Sequence, residues 1–172
     1  MWLQVARVTL KVARSGEPER AVHLFGATVA DFFSGHSEHT LDAKGRVIVP
    51  AKYRSRFADG AHLAKGNNRS LALWTRESYE RQAATWLEKL ESGEDGAEEK
   101  ALYWAANVEE VAVDASTGRL LIPPYMREYA QLEVGQPVLL NGALNHIDVW
   151  NPTLFANRVE AAAEPGFTKD RS

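Results

Sequence analysis

The sequence contains one short pattern twice, and this repeat restricts the possible folds more than any other feature of the chain. Residues 45–50 read GRVIVP, and residues 118–123 read GRLLIP, 73 positions later. Two aliphatic segments that follow also recur, now with an offset of 76: residues 63–66 and 71–74 correspond to 139–142 and 147–150. We therefore expect the chain to contain two copies of one structural unit.

A helix-start signal follows the tryptophan that ends each unit's last aliphatic segment. Thr75 and Asn151 are favoured N-cap residues, and Pro152 is well tolerated at the first helical position. The residues on either side have the spacing of a hydrophobic staple: Trp74 with Tyr79, and Trp150 with Phe155. Each unit is therefore predicted to run as strand, Gly-Arg turn, strand, Pro-led helical turn, β-hairpin and capped helix.

Short apolar runs closed by proline follow the two Gly-Arg pairs, at residues 47–49 and 120–122. Their length and composition predict strands buried on both faces, and residues 111–113 predict a strand before the second turn. Between the units, apolar residues at helical spacing predict a helix that ends near Ser92. A second helix is predicted at residues 97–106. The apolar positions of the first helix are Tyr79, Ala83, Trp86, Leu87 and Leu90.

These elements predict a mainly β fold with added helices, of the α+β class. We divide the chain into an N-terminal extension at 1–31, a first repeat at 33–79, a helical connector at 80–107, a second repeat at 108–152, and a C-terminal helix and tail at 153–172. Residues 1–31 match neither repeat. We expect them to be disordered or to precede the native start of the chain.

Composition and motifs argue against several classes of protein. Cysteine is absent, so disulfides and thiolate metal sites are impossible, and no apolar run approaches the roughly 20 residues that cross a bilayer. The five histidines are scattered, and the pair His36 and His39 lies in a predicted strand, where the two side chains face opposite ways. Hydrolase, P-loop and dinucleotide fingerprints are missing. We expect no enzyme, cofactor, metal, small-molecule substrate or membrane partner.

Charge is distributed unevenly, although the formal net charge is only −3. Residues 39–56 carry five bases against Asp42 alone, whereas residues 76–104 carry eight acids against four bases. A basic turn region on an acidic frame favours binding of a polyanion in one orientation.

The two Gly-Arg turns suit nucleic-acid contact. Gly45 and Gly118 allow positive φ in a tight turn, and an Asx side chain such as Asp42 can accept hydrogen bonds from the turn backbone. The neighbouring Arg46 and Arg119 would then project from a rigid base, where a guanidinium can bind phosphate or guanine O6 and N7. Lys44 is better suited to phosphate. A single Gly-Arg turn is usually a solvated hairpin, but two at matching positions favour the functional interpretation.

Three further basic residues follow the turns and are weaker DNA-binding candidates. They are Lys52, Arg54 and Arg127. Arg54 and Arg127 are equally suited to pair with a helix acid or to cap a carbonyl. Trp74 and Trp150 are interpreted as packing residues rather than as surfaces for base stacking.

Residues 41–50 (LDAKGRVIVP) followed by Tyr53 and Arg54 resemble the first motif of the MraZ family, and residues 114–124 with 126–129 resemble its second. The resemblance covers residues 33–156. It implies a tandem AbrB-type swapped-hairpin β-barrel, and a cytoplasmic, nucleoid-associated regulator of transcription. Members of this family assemble into rings and bind G-rich direct repeats upstream of the division and cell-wall gene cluster. We expect a repressor that binds double-stranded DNA.

The two turns differ in one respect. Two residues separate Asp42 from Gly45, whereas three separate Asp114 from Gly118, so Arg119 is expected to point differently from Arg46. The alternative function is a ring-forming structural or protein-binding module without specific DNA recognition, which would tolerate loss of Arg46.

Self-association is expected on physical grounds as well. One chain offers only two Gly-Arg turns, and the second unit carries more acids than bases, so a monomer should bind DNA weakly. Linked sites on several subunits raise avidity without any new kind of contact. A homo-oligomer of more than two subunits is therefore predicted.

Overall fold

The computed structural model describes residues 23–24, 27–28 and 32–162, and the chain divides into two compact units at residue 30. In the N-terminal unit, β1 (His23–Leu24) and β2 (Ala27–Thr28) form an antiparallel pair. The rest of the predicted N-terminal extension, and residues 163–172 of the predicted tail, lie outside the described residues.

Between residues 32 and 162, the second unit contains eight strands in two antiparallel sheets. Six of them form one sheet in the order β3-β9-β10-β6-β5-β7, and the other two, β4 and β8, form a ribbon. The strands are β3 (His36–Thr40), β4 (Arg46–Ile48), β5 (Ala61–Lys65), β6 (Leu71–Thr75), β7 (Val108–Val111), β8 (Arg119–Leu121), β9 (Pro137–Gly142) and β10 (His146–Trp150). The predicted α+β class with antiparallel pairing is confirmed.

The strand order shows that the two repeats are interleaved. Strand β3 of the first repeat pairs with β9 of the second, and β7 of the second pairs with β5 of the first. The hairpins β5-β6 and β9-β10 meet through β6 and β10, and β4 pairs with β8. If each strand of the first repeat is exchanged with its counterpart in the second (β3 with β7, β5 with β9, β6 with β10), the strand order of the six-stranded sheet is unchanged. This symmetry is expected of two copies of one unit that share their strands.

Five α-helices of the described residues connect and flank the strands: α1 (Ala51–Arg54), α2 (Arg76–Glu91), α3 (Ala97–Ala106), α4 (Pro124–Ala130) and α5 (Pro152–Ala162). The predicted caps are present, since the Thr75 side chain accepts from Ser78 N and the Asn151 amide oxygen accepts from Thr153 N. The Trp150 and Phe155 rings lie 5.9 Å apart, as the predicted staple requires. Among the described residues, no helix is long and apolar enough to cross a membrane.

The ribbon strands pack only one face into the main hydrophobic core. Val47 and Leu120 are fully buried, but Ile48 is 42% exposed and Leu121 is 55% exposed. The prediction of strands buried on both faces is therefore wrong. The ribbon has only two strands, and no described element of the chain covers its outer face, so alternate side chains remain in solvent. The strand predicted at residues 111–113 begins earlier, at Val108, and Val113 makes an isolated bridge to Leu120.

Candidate functional site

The first Gly-Arg turn is held by the carboxylate of Asp42. One oxygen, Oδ1, accepts from the backbone N–H groups of Lys44 and Arg46, each at 2.9 Å. The other, Oδ2, accepts from Nε and Nη2 of the Arg46 side chain, each at 2.7 Å. The hydrogen bond from the Arg46 side chain is the largest of the influences that lower the pKa of Asp42 to about 2. Arg46 is therefore fixed in direction by a residue four positions earlier.

The second turn uses its carboxylate differently. Asp114 Oδ1 accepts from the N–H and hydroxyl of Ser116, at 3.1 and 2.8 Å, and from the N–H and hydroxyl of Thr117, at 2.6 and 2.8 Å. These hydrogen bonds, led by that from Thr117 N, lower the pKa of Asp114. The N–H of Arg119 donates to the Thr117 hydroxyl at 3.3 Å, and its guanidinium, which is exposed, has no ionic partner among the described residues. The extra residue in this turn thus separates the carboxylate from the arginine.

Both arginines lie on the outer face of the β4-β8 ribbon. Arg46 is opposite Leu121, Val47 is opposite Leu120, and Ile48 is opposite Arg119. Because side chains alternate along a strand, the buried central pair leaves the two flanking pairs facing outward. Arg46 and Arg119 are diagonal neighbours on this face, a relationship that typically separates two residues by about 7–8 Å, with the Cβ atoms somewhat closer. We call the surface formed by Arg46, Ile48, Arg119 and Leu121 the ribbon face.

Each turn also contacts an arginine of the other repeat. Arg54 donates from Nε to Val49 O at 3.0 Å and from Nη1 to Ser116 O at 3.2 Å, and it lies against Gly118. Arg127 donates from Nε to Ile122 O at 3.1 Å and lies against Gly45. The sequence left open whether Arg54 and Arg127 pair with a helix acid or cap a carbonyl. In the structure, both side chains cap backbone carbonyls.

The glycines are required by this arrangement. Gly45 has φ +76° and Gly118 has φ +72°, in the left-handed region that residues with a side chain rarely adopt. Their carbonyls accept backbone hydrogen bonds across the repeats, Gly45 O from Ile122 N at 3.0 Å and Gly118 O from Val49 N at 2.8 Å. A side chain on either glycine would collide with the arginine packed over it.

The remaining candidates lie near the turns but have different surroundings. Lys44 is exposed in the first turn, and Lys52 is exposed in α1, with Nζ 4.6 Å from the centre of the Tyr53 ring. Within residues 32–162, no group of three His, Asp or Glu side chains is arranged to hold a metal ion. Sequence reasoning overlooked Ile48 and Leu121, the apolar members of the ribbon face. Their positions two residues after each arginine were the available signal, because strand residues at i and i+2 share a face.

The model of the MraZ protein family, described as antitoxin-like, matches residues 32–100 and 105–172. Each match contains one of the two repeats and extends beyond it. Residues 1–31, which match neither repeat, lie outside both.

Several proteins named transcriptional regulator MraZ are similar to this chain. The one from Roseiflexus castenholzii is 30% identical over 129 residues, which cover 75% of this chain and 87% of that protein. The one from Thermoanaerobacter pseudethanolicus is 32% identical over 133 residues, covering 76% and 90%. The one from Acetivibrio thermocellus is 34% identical over 119 residues, covering 69% and 80%. Both the family resemblance seen in the sequence and the assignment to non-enzymatic regulators are confirmed. The chain belongs to the MraZ family.

Proposed function

We propose that this protein is a sequence-specific DNA-binding regulator that represses transcription at G-rich direct repeats upstream of the division and cell-wall gene cluster. The observation that carries the proposal is the ribbon face, where the arginines of both Gly-Arg turns lie side by side. Its relatives named as transcriptional regulators support the same function. Such a protein would act in the cytoplasm, on the nucleoid.

The chemistry of the ribbon face suits a reader of the DNA major groove. The major groove is about 12 Å wide and admits a two-stranded β-ribbon. Arg46 and Arg119 would supply guanidinium groups to guanine or phosphate, while the exposed Ile48 and Leu121 offer apolar contact to thymine methyl groups. Lys44 and Lys52, which are both exposed, would contact the backbone phosphates that hold a protein in register.

We also propose that the strands close into the swapped-hairpin barrel implied by the family. Two contacts support closure at the ends of the six-stranded sheet. The bridge between Val113 and Leu120 joins the β7 end to the ribbon, and Asp42 N donates to Arg46 O at 2.9 Å where β3 turns into β4. A closed barrel would hold the ribbon rigidly, so that its face would meet DNA with little loss of conformational entropy.

Assembly into a homo-oligomeric ring is part of the proposal. The connector helices α2 and α3 leave large apolar side chains in solvent, with Leu87 59%, Leu102 69% and Tyr103 57% exposed. In the proposed ring, these side chains would form an apolar patch at the contact between subunits. A ring would present several ribbon faces to successive DNA repeats, which explains why direct repeats rather than a palindrome would be the target.

A gel-shift experiment tests the DNA-binding function. The probe is the DNA upstream of the protein's own gene, at moderate salt and with excess non-specific competitor. We expect the wild-type protein to retard the probe and Arg46→Ala to lose most of this binding, whereas Arg81→Ala, which removes an exposed arginine from α2, should bind as wild type. Absence of retardation above competitor rejects the proposal. An Arg46→Ala variant that assembles and loses no function favours the structural-module alternative.

A further inference from the structure

The two Gly-Arg turns are equivalent in the fold but not in their chemistry. In the first turn, the Asp42 carboxylate binds both the backbone and the side chain of Arg46. In the second, the carboxylate of Asp114 is occupied by Ser116 and Thr117, and the Thr117 hydroxyl takes its place on the backbone N–H of Arg119. The Arg119 guanidinium is left without a carboxylate partner in the described part of the chain.

This difference determines what each guanidinium can offer. Asp42 engages Nε and Nη2 of Arg46, which leaves the Nη1 end of the group free. Of the five N–H donors of a guanidinium, three remain, including the Nη1 and Nη2 donors that match guanine O6 and N7. The paired carboxylate also compensates most of the positive charge at long range. Arg46 therefore contributes hydrogen-bond donors of fixed direction more than it contributes net positive charge.

Arg119 has the opposite properties. Its side chain is exposed and its charge is uncompensated, so it can adjust to a phosphate but has no contact that fixes it against one base. Releasing counterions requires charge and not a fixed direction. The nearby Arg54 is tied to the backbone carbonyls of Val49 and Ser116 and supports the turn itself.

Resting on the proposed DNA-binding function, we propose that the two turns of this chain have different roles in DNA binding. Arg46, positioned by Asp42, reads a guanine, and Arg119 binds the DNA backbone through phosphate. Asp42 is then a positioning residue that sets sequence preference without touching DNA. The additional residue between Asp114 and Gly118 is what separates the two roles.

The test compares lysine substitutions at the two arginines, because lysine keeps the charge and removes the planar fork. The full-length protein is titrated against a labelled duplex of the DNA upstream of its own gene, and against a scrambled duplex of the same length and composition, at several salt concentrations. Arg46→Lys should lower the preference for the upstream duplex by about 5- to 150-fold, the value of one bidentate contact. Arg119→Lys should leave that preference within about 2-fold, well below the effect of removing one bidentate contact.

Removing the charge of Arg119 should act on all DNA equally. Arg119→Ala is expected to weaken binding to both duplexes by the same factor and to reduce the slope of log K against log[salt] by about 0.9 for each phosphate that the variant no longer neutralises. Arg46→Ala should instead weaken binding to the upstream duplex far more than to the scrambled one.

Matched substitutions at the two aspartates separate positioning from charge. Asp42→Asn and Asp114→Asn each remove one negative charge close to DNA, which by electrostatics alone would tighten binding to both duplexes. Asp42→Asn should instead lower the preference for the upstream duplex by about 5-fold or more, while Asp114→Asn should leave it unchanged. Circular dichroism establishes that each variant is folded.

Two results would overturn the inference in distinguishable ways. If the wild-type protein binds both duplexes equally, the proposed function itself is rejected, and base reading by Arg46 with it. If the wild-type protein is specific but Arg46→Lys and Arg119→Lys lower the preference for the upstream duplex by the same factor, only the difference in role between the two arginines is rejected. Equal effects of Asp42→Asn and Asp114→Asn lead to that second conclusion independently, even where a lysine variant is unstable.

Discussion

The contact between Asp42 and Arg46 shows how a local sequence pattern can fix the direction of a side chain. Only three residues separate Asp42 from Arg46, so their pairing requires little loop-closure entropy. The pKa of the Asp42 carboxylate is low because this group accepts hydrogen bonds from the side chain and backbone of Arg46, and from the backbone N–H of Lys44. Stabilisation from this contact is therefore present above the ordinary carboxyl pKa and is lost as the pH falls toward 2.

The Asp42 pKa provides a direct check of this pairing in solution. We expect carbon NMR to place the pKa of Asp42 at about 2 in the wild-type protein and clearly higher in Arg46→Ala, because the largest influence on it has been removed. Asp114 serves as the internal control, since its pKa is lowered by Thr117 and Ser116 and should not change in the same variant. An Asp42 pKa that is the same in both proteins would show that the pairing is absent.

At the level of elements, the turns are parts of the interface between the repeats. Each glycine accepts a backbone hydrogen bond from the other repeat and lies under that repeat's arginine. The two sites differ in what a new side chain would meet: at Gly45 it is the flexible end of Arg127, whereas at Gly118 it is Arg54 together with the backbone oxygen of Val49. Backbone cannot move aside as readily as the end of a side chain.

This difference predicts a graded series of alanine substitutions, measured by urea unfolding. Gly135→Ala is the control, because Gly135 has φ +80° and nothing lies within 4 Å of the added carbon. It should lose about 1–2 kcal/mol, the cost of left-handed backbone alone. Gly45→Ala should lose more, and Gly118→Ala most, with about 1–3 kcal/mol added by the steric conflict. Equal losses at all three positions would contradict the cross-repeat packing described for Arg54 and Arg127.

At the scale of the whole molecule, interleaving makes the two repeats one cooperative unit. The first strand of each repeat is paired with the other repeat's hairpin, so a repeat by itself would expose unpaired strand edges. One folded chain then has a single ribbon face, with one arginine from each turn. Under the proposed function, high affinity for DNA would come from several chains acting together.

Binding to DNA of different repeat number tests this cooperation. We expect light scattering to give a homo-oligomer of more than two subunits. Its affinity should rise by roughly 10² to 10⁴ between duplexes that carry one and several copies of the target repeat, because later contacts form at high effective concentration. The control is a set of duplexes of equal length in which the added repeats are scrambled. A monomer that binds one repeat as tightly as three would refute the ring proposal.

Much of the fold was predictable because its signals are local. The caps at Thr75 and Asn151, the hairpins and the connector helices are all encoded within short continuous segments. The turn at Gly45 and Arg46 was predicted for the same reason, since turn conformation depends on neighbouring residues. The sequence by itself therefore determined which elements form, where the turns lie and which side chains they carry.

Only the tertiary structure decided how these elements meet. The pairing of β4 with β8 places Arg46 beside Arg119 from a position 73 residues away, and leaves Ile48 and Leu121 exposed although their strands read as fully buried. The packing of Arg54 over Gly118 and of Arg127 over Gly45 joins residues 64 and 82 positions apart. Such contacts depend on which strand edges and core faces find each other, and a local pattern of hydrophobicity cannot specify that choice.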